Sequence, residues 1–115
     1  MKLYMEAEHR DVPAGTRAVI RLVVFNDEDM PVVFNRAMLL GPNLSGPEGP
    51  LPLSAEPQFD DPALNDVALN PGCFYGRERS WSDLPAGEYE VTGLLVGEKP
   101  TTVALTAEPL RVHVG

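Results

Sequence analysis

The fold class this sequence predicts is all-β: two stacked layers of short antiparallel strands, about seven in number. Three observations lead there. Apolar residues recur with a period of two in several segments. No ten-residue stretch carries an amphipathic helical repeat, and Pro, Gly, Asn and Asp interrupt the extended runs. At 115 residues the chain is one domain, long enough to bury a core without metal or disulfide support.

The first segment, "KLYMEAE", alternates Leu3, Met5 and Ala7 with Tyr4, Glu6 and Glu8, as a strand near a sheet edge does. Pro13 and Gly15 turn the chain into "TRAVIRLVVFN", the clearest strand of all. Ala18, Ile20, Leu22 and Val24 form an uncharged face, and Ile20, Leu22 and Val24 are the predicted core. Arg17, Val19, Arg21, Val23 and Phe25 occupy the opposite face. After the turn "NDEDMP", a single strand is expected from Val32 to Leu40, ending at Gly41-Pro42. "CFYGRERSW" reads as extended, with Tyr75, Arg77, Arg79 and Trp81 on one side. "EYEVTGLLVG", the turn "EKPT", a short "TVALTA" and a final "PLRVHVG" complete the set; Leu110, Val112 and Val114 share one face of the last.

The stretch "LPAGEY" before the penultimate long strand has the elements of a tyrosine corner. Leu84 anchors the loop, Pro85 and Gly87 bend it, and the Tyr89 hydroxyl reaches back to its backbone. A buried ring with one polar atom gains most when that atom is bonded.

Residues 41–72 stand apart. They carry seven of the twelve prolines, five acids and no Lys or Arg, so a central strand is not expected there. Leu51, Leu53, Phe59, Leu64, Val67 and Leu69 are spaced to peg the segment onto the core. "DDPALNDVALN" suits one helical turn, with Asp61 as cap and Pro62 in first position. Two readings stand: an acidic recognition loop, or an excursion covering one end of the core.

A formal charge of -8 disfavours nucleic acid and anionic membranes as partners and leaves a basic protein surface as the better one. No apolar run approaches the roughly 18 residues of a membrane span. With one cysteine, Cys73, and no visible signal peptide, the expected setting is cytoplasmic, unless a leader has been removed.

Candidate chemistry is sparse. The three acids of "NDEDM" lack the ligand spacing of a calcium loop and read as a solvated turn. His9 and His113 approach each other if the first and last strands are neighbours, but no Cys/His cluster completes a zinc site. Cys73 reads as a buried small hydrophobe. No nucleophile elbow, phosphate-cradling loop or placed carboxylate pair is present, so neither catalysis nor a cofactor is expected.

"RLVVFNDEDMPVVF", "LNPGCFYGRERSWSDLPAGEYEVTGLL" and "LRVHV" resemble immunoglobulin-like sandwich modules of bacteria. More narrowly, they resemble the bacterial intracellular proteinase inhibitor family, through Asn26, Pro31, Val32, Leu69, Pro71, Gly72, Trp81, Leu84, Gly87 and Tyr89. The middle segment lacks that family's tryptophan-bearing strand, and no functional residue carries over. The resemblance implies an immunoglobulin-like sandwich and, as one alternative, protease inhibition by a presented 41–72 loop.

The expected function is a non-catalytic protein-binding or assembly module, its partner another protein or a second copy of the chain. Two outer surfaces are candidates: Val19, Arg21, Val23 and Phe25 on one strand, and Tyr75, Arg77, Arg79 and Trp81 on another, the latter as a cation–π stripe. A calcium- or carbohydrate-binding module is the remaining alternative, although Trp81 and three tyrosines make a meagre sugar platform.

Overall fold

A computed structural model describes residues 1–47, 49–50, 66–96 and 105–115. Their regular structure is strand, apart from one short 3-10 turn. No helix among them is long and apolar enough to cross a membrane.

One sheet has three antiparallel strands in the order β1, β3, β8, formed by Lys2–Ala7, Ala18–Phe25 and Phe74–Trp81. A second runs β2 (Asp11–Val12), β11 (Leu110–Val114), β9 (Gly87–Leu95), β5 (Leu39–Gly46), β6 (Gly49–Pro50), with β10 (Leu105–Thr106) also on β9. Its pairs are antiparallel except β2 with β11, which is parallel. The first segment therefore serves both sheets: β1 pairs with β3, and a few residues later Asp11 and Val12 lie beside His113 and Val114.

The two sheets share their interior. Ala18 and Ile20 of β3 cluster with Leu44, Val91 and Val112 of the second sheet. Leu22 and Val24 cluster with Leu39 and Leu95. Ile20, Leu22 and Val24 have at most 1% of their surface exposed, as their alternation predicts. Burying each such side chain contributes about 1.5–3 kcal/mol. Opposite Leu22 the second sheet offers Gly93, where an added Cβ would lie 2.8 Å from a Leu22 methyl. The missing side chain is what lets Leu22 sit close against β9.

A third pair, β4 (Val32–Asn35) with β7 (Asp66–Leu69), is best understood as a continuation of the β3 and β8 ladder. Phe25 pairs with Phe74 and Val32 with Leu69, so seven steps on one side match five on the other. The ribbon thus passes a joint with two extra residues on the β3 side and resumes. Asn26, fully buried, closes that joint. Its backbone N–H donates to the Cys73 carbonyl at 3.0 Å, and its carbonyl accepts from Gly72. Its side-chain amide donates to the carbonyls of Met30 and Leu69, each at 2.9 Å, while its Oδ1 accepts from the Glu28 N–H. A buried amide with its donors and its oxygen all engaged ties both turns together. Beyond the joint, Phe34 and Leu69 join the Leu22 and Val24 cluster, and Phe34 meets Tyr75 edge-on with centroids 5.6 Å apart.

A smaller irregularity lies along β9. From Leu105 to Leu110 the chain takes one residue more than β9 takes from Leu95 to Val91. β10 and β11 are therefore one edge interrupted by a bulge, which tucks Ala107 inside.

Several sequence expectations are corrected. Val32 to Leu40 is not one strand: the Asn35 side chain accepts the Ala37 N–H at 2.8 Å and winds Arg36–Met38 into a 3-10 turn. The strand expected to stop at Gly41-Pro42 instead continues to Gly46, with a register shift between Leu40 and Asn43 absorbing the irregular pair. Pro42 supplies no ladder N–H, and the offset falls at that position. Asp66–Leu69, assigned to the end of a helical turn, is extended because it pairs with β4. Asp61, Pro62, Leu51, Leu53, Phe59 and Leu64 lie outside the described residues, as does the "EKPT" turn. Val67 and Leu69 do pack on the core.

Candidate interaction surface

Tyr75, Arg77, Arg79 and Trp81 do not form an outer stripe. Their side of β8 faces the interior: Arg79 is 7% exposed, and Tyr75 and Trp81 pack against the two core clusters. The arginines fit there because their stems are apolar and their forks find backbone acceptors. Arg77 donates to the carbonyls of Arg36, at 2.8 Å, and Leu39; Arg79 donates to that of Pro42 at 3.2 Å. They tie β8 to the start of β5. Sequence pattern is mute here, since Phe74, Gly76, Glu78 and Ser80 make an equally mixed alternative inner set.

Val23 also needs correction. It points outward but is 2% exposed, because it is short and stands on the central strand among taller neighbours. Cys73, expected inside, is exposed, since it lies in the turn that leads into β8.

The outer face of β1, β3 and β8 can be laid out from its register. Lys2, Phe25 and Phe74 form one row, Tyr4, Val23 and Gly76 the next, and Glu6, Arg21 and Glu78 the third. Val19 and Ser80 follow. Phe74 is 63% exposed, Tyr4 39%, and Phe25 half-buried. The apolar end therefore carries three aromatic rings near Gly76, over which the Arg21 stem lies, within 3.1 Å of where a Cβ would stand. In the third row Arg21 pairs with Glu78 at 3.2 Å. A shallow depression of 180 Å³ opens beside it, lined by Glu6, Glu8, Val19, Arg21 and Glu78. Of the sequence-predicted set on β3, Val19, Arg21 and Phe25 reach this surface. Tyr4 and Phe74 complete it, and only the pairing of β1 and β8 with β3 reveals them.

The second sheet presents a different outer surface, with Glu88, Glu90, Arg111 and His113 at its exposed positions. His113 meets Glu88 at 2.6 Å, and His9 lies 3.6 Å from Glu8. Among the described residues no three potential metal ligands come together. Asp27 of the acidic turn is 2.6 Å from the Met1 amine, with Glu28 at 3.1 Å. The hydrogen bond between amine and carboxylate raises the amine pKa above its ordinary value and lowers that of Asp27.

Tyr89 is 4% exposed and its hydroxyl donates to the Pro85 carbonyl at 2.6 Å. Its ring lies over Gly46, where a Cβ would come within 2.6 Å of Cε2. Leu84 packs beneath the loop, and Gly87 has a φ of 153° that favours glycine.

Comparison with known proteins returned no matching family model and no similar curated protein.

Proposed function

We propose that the chain is a non-catalytic protein-binding or assembly module built on an immunoglobulin-like β-sandwich, with the outer face of β1, β3 and β8 as its binding surface. The split first segment, serving one sheet through β1 and the other through β2, and the shared core support the sandwich reading. The observation that carries the functional reading is the placement of Tyr4, Phe25 and Phe74 together on one sheet face, with Phe74 63% exposed. Cross-strand pairing of Phe25 with Phe74 contributes only about 0.2–1 kcal/mol to the sheet and leaves most of the Phe74 ring in water, whereas aromatic residues beside arginine are what protein interfaces favour.

Phe74→Arg tests this. The variant should fold as the wild type does, since the ring is largely in solvent, but should fail to retain the protein captured by the wild-type chain from native extract. Equal capture by both chains would refute the assignment of this face.

A further inference from the structure

We propose that the outer edge of β1 takes an extended strand of a basic partner protein, added to the sheet through main-chain hydrogen bonds. This goes beyond the aromatic face and concerns the rim where that face ends. The Glu8 N–H donates to the Val19 carbonyl at 3.0 Å, continuing the register in which Glu6 faces Arg21 and Tyr4 faces Val23. Lys2, Tyr4, Glu6 and Glu8 therefore direct their backbone groups at β3. Leu3, Met5 and Ala7 turn theirs the other way, where the sheet order places no strand among the described residues. Their side chains are open in the same direction. All three line the interior yet stay half-buried, whereas Ala18, Ile20, Leu22 and Val24, one strand further in, are at most 1% exposed. One more strand with apolar residues on its inner side would complete that burial.

Charge selects the occupant. In antiparallel addition, the residues opposite Glu6 and Glu8 belong to non-hydrogen-bonded pairs, in which side chains approach most closely. Both glutamates are exposed, and the 180 Å³ depression they line also holds Glu78. The arginine lining it, Arg21, is already paired with Glu78, and His9 lies 3.6 Å from Glu8. Lys or Arg opposite each of Glu6 and Glu8 meets an excess of negative charge there. Lys2, at the far end of β1, asks for an acid. A second copy fits less well, since it brings a further charge of -8.

An NMR titration with the end-blocked peptide Lys-Val-Lys-Val-Thr-Val-Glu tests this. Laid antiparallel, it sets its lysines opposite Glu8 and Glu6, its valines inward and its glutamate opposite Lys2. Near saturation the amide protons of Leu3, Met5 and Ala7 should exchange with water about tenfold or more slowly, with Kd between ~0.1 and ~1 mM. Those of Tyr4 and Glu6, already bonded to β3, should change little. The charge-reversed peptide Glu-Val-Glu-Val-Thr-Val-Lys should bind about tenfold or more weakly. Glu6→Lys combined with Glu8→Lys should invert that preference; both positions are exposed, so circular dichroism should show the fold unchanged. Met5→Pro removes one outward N–H and no bond between β1 and β3, and should abolish binding. Absence of protection at the three amides with ~5 mM peptide, or equal binding of the two peptides, overturns the proposal. So does protection that grows with protein concentration alone, which would make the occupant a second copy. Phe74→Arg, two strands away, should leave the titration unchanged, so this proposal and the assignment of the aromatic face fail separately.

Discussion

Replacing Asn26 should be among the most damaging single polar substitutions in this chain. The residue is fully buried, and its side chain makes three hydrogen bonds to backbone groups: two donated, to Met30 and Leu69, and one accepted, from Glu28. Each is worth about 0.5–1.5 kcal/mol net, and a buried carbonyl left unbonded adds a penalty of roughly 1–3 kcal/mol. Asn26→Ala should therefore cost about 3 kcal/mol, equivalent to roughly 15 °C in melting temperature for a domain of this size. Asn26→Asp is the sharper test because it keeps the shape and replaces the donors by carboxylate oxygens facing two carbonyls at 2.9 Å. That carboxylate disfavours ionisation in the folded state, so its folded pKa lies above its unfolded value near 3.9. Between those two values the folded state holds more protons, and stability falls as pH rises. The aspartate variant should thus be weaker than the alanine variant at pH 7 and should recover part of the loss as pH is lowered towards 4. Urea unfolding followed by the fluorescence of Trp81, the only tryptophan, reads both. An alanine variant within ~0.5 kcal/mol of wild type, or an aspartate variant with no excess pH dependence, would refute the joint as described.

Other expectations follow from the same geometry. Gly93→Ala should cost about 1–3 kcal/mol by thermal unfolding, because its Cβ meets Leu22, which is fully enclosed and has nowhere to move. Tyr89→Phe should lose about 1 kcal/mol in urea unfolding while leaving circular dichroism unchanged, as only the bond to the Pro85 carbonyl disappears. Cys73 should react with a thiol reagent in the native protein at a rate close to that of the unfolded chain. By NMR the Met1 amine should titrate above its ordinary value and Asp27 below its own. The raised amine contributes fully below its ordinary value of 8.0 and loses that contribution as pH climbs through the folded value; the lowered Asp27 contributes above 3.8 and loses it as pH falls. N-terminal acetylation removes the titrating amine and should return Asp27 most of the way towards its ordinary value, with only a small effect on melting because the pair is partly open to solvent.

The strand character of Ala18 to Phe25 was legible because its inner residues are uniformly apolar, so one periodicity carried both element and burial. β11 was legible for the same reason, with Leu110, Val112 and Val114 all buried. β5 was hidden because Gly41 and Pro42 resemble a terminator, whereas the ladder simply skips them through the offset at Leu40 and Asn43. β8 was misoriented because two arginines on its inner side look like solvent residues to any pattern of hydropathy. The surface assignment suffered likewise: β3 supplied Phe25 and Arg21, but Tyr4 and Phe74 come from strands far away in the chain and become neighbours only through pairing.

Alternation, turn residues and the missing helical period were enough to establish that the chain forms strands and which side of the strongest ones is dry. These are local quantities, governed by each residue and its near neighbours. Which strands pair, that Asn26 joins two turns through a buried amide, and that Arg77 and Arg79 turn inward were decided by tertiary structure alone. The reason is that a backbone carbonyl offered by a distant segment can satisfy a buried polar group as well as water does, and no local pattern records where that carbonyl will be.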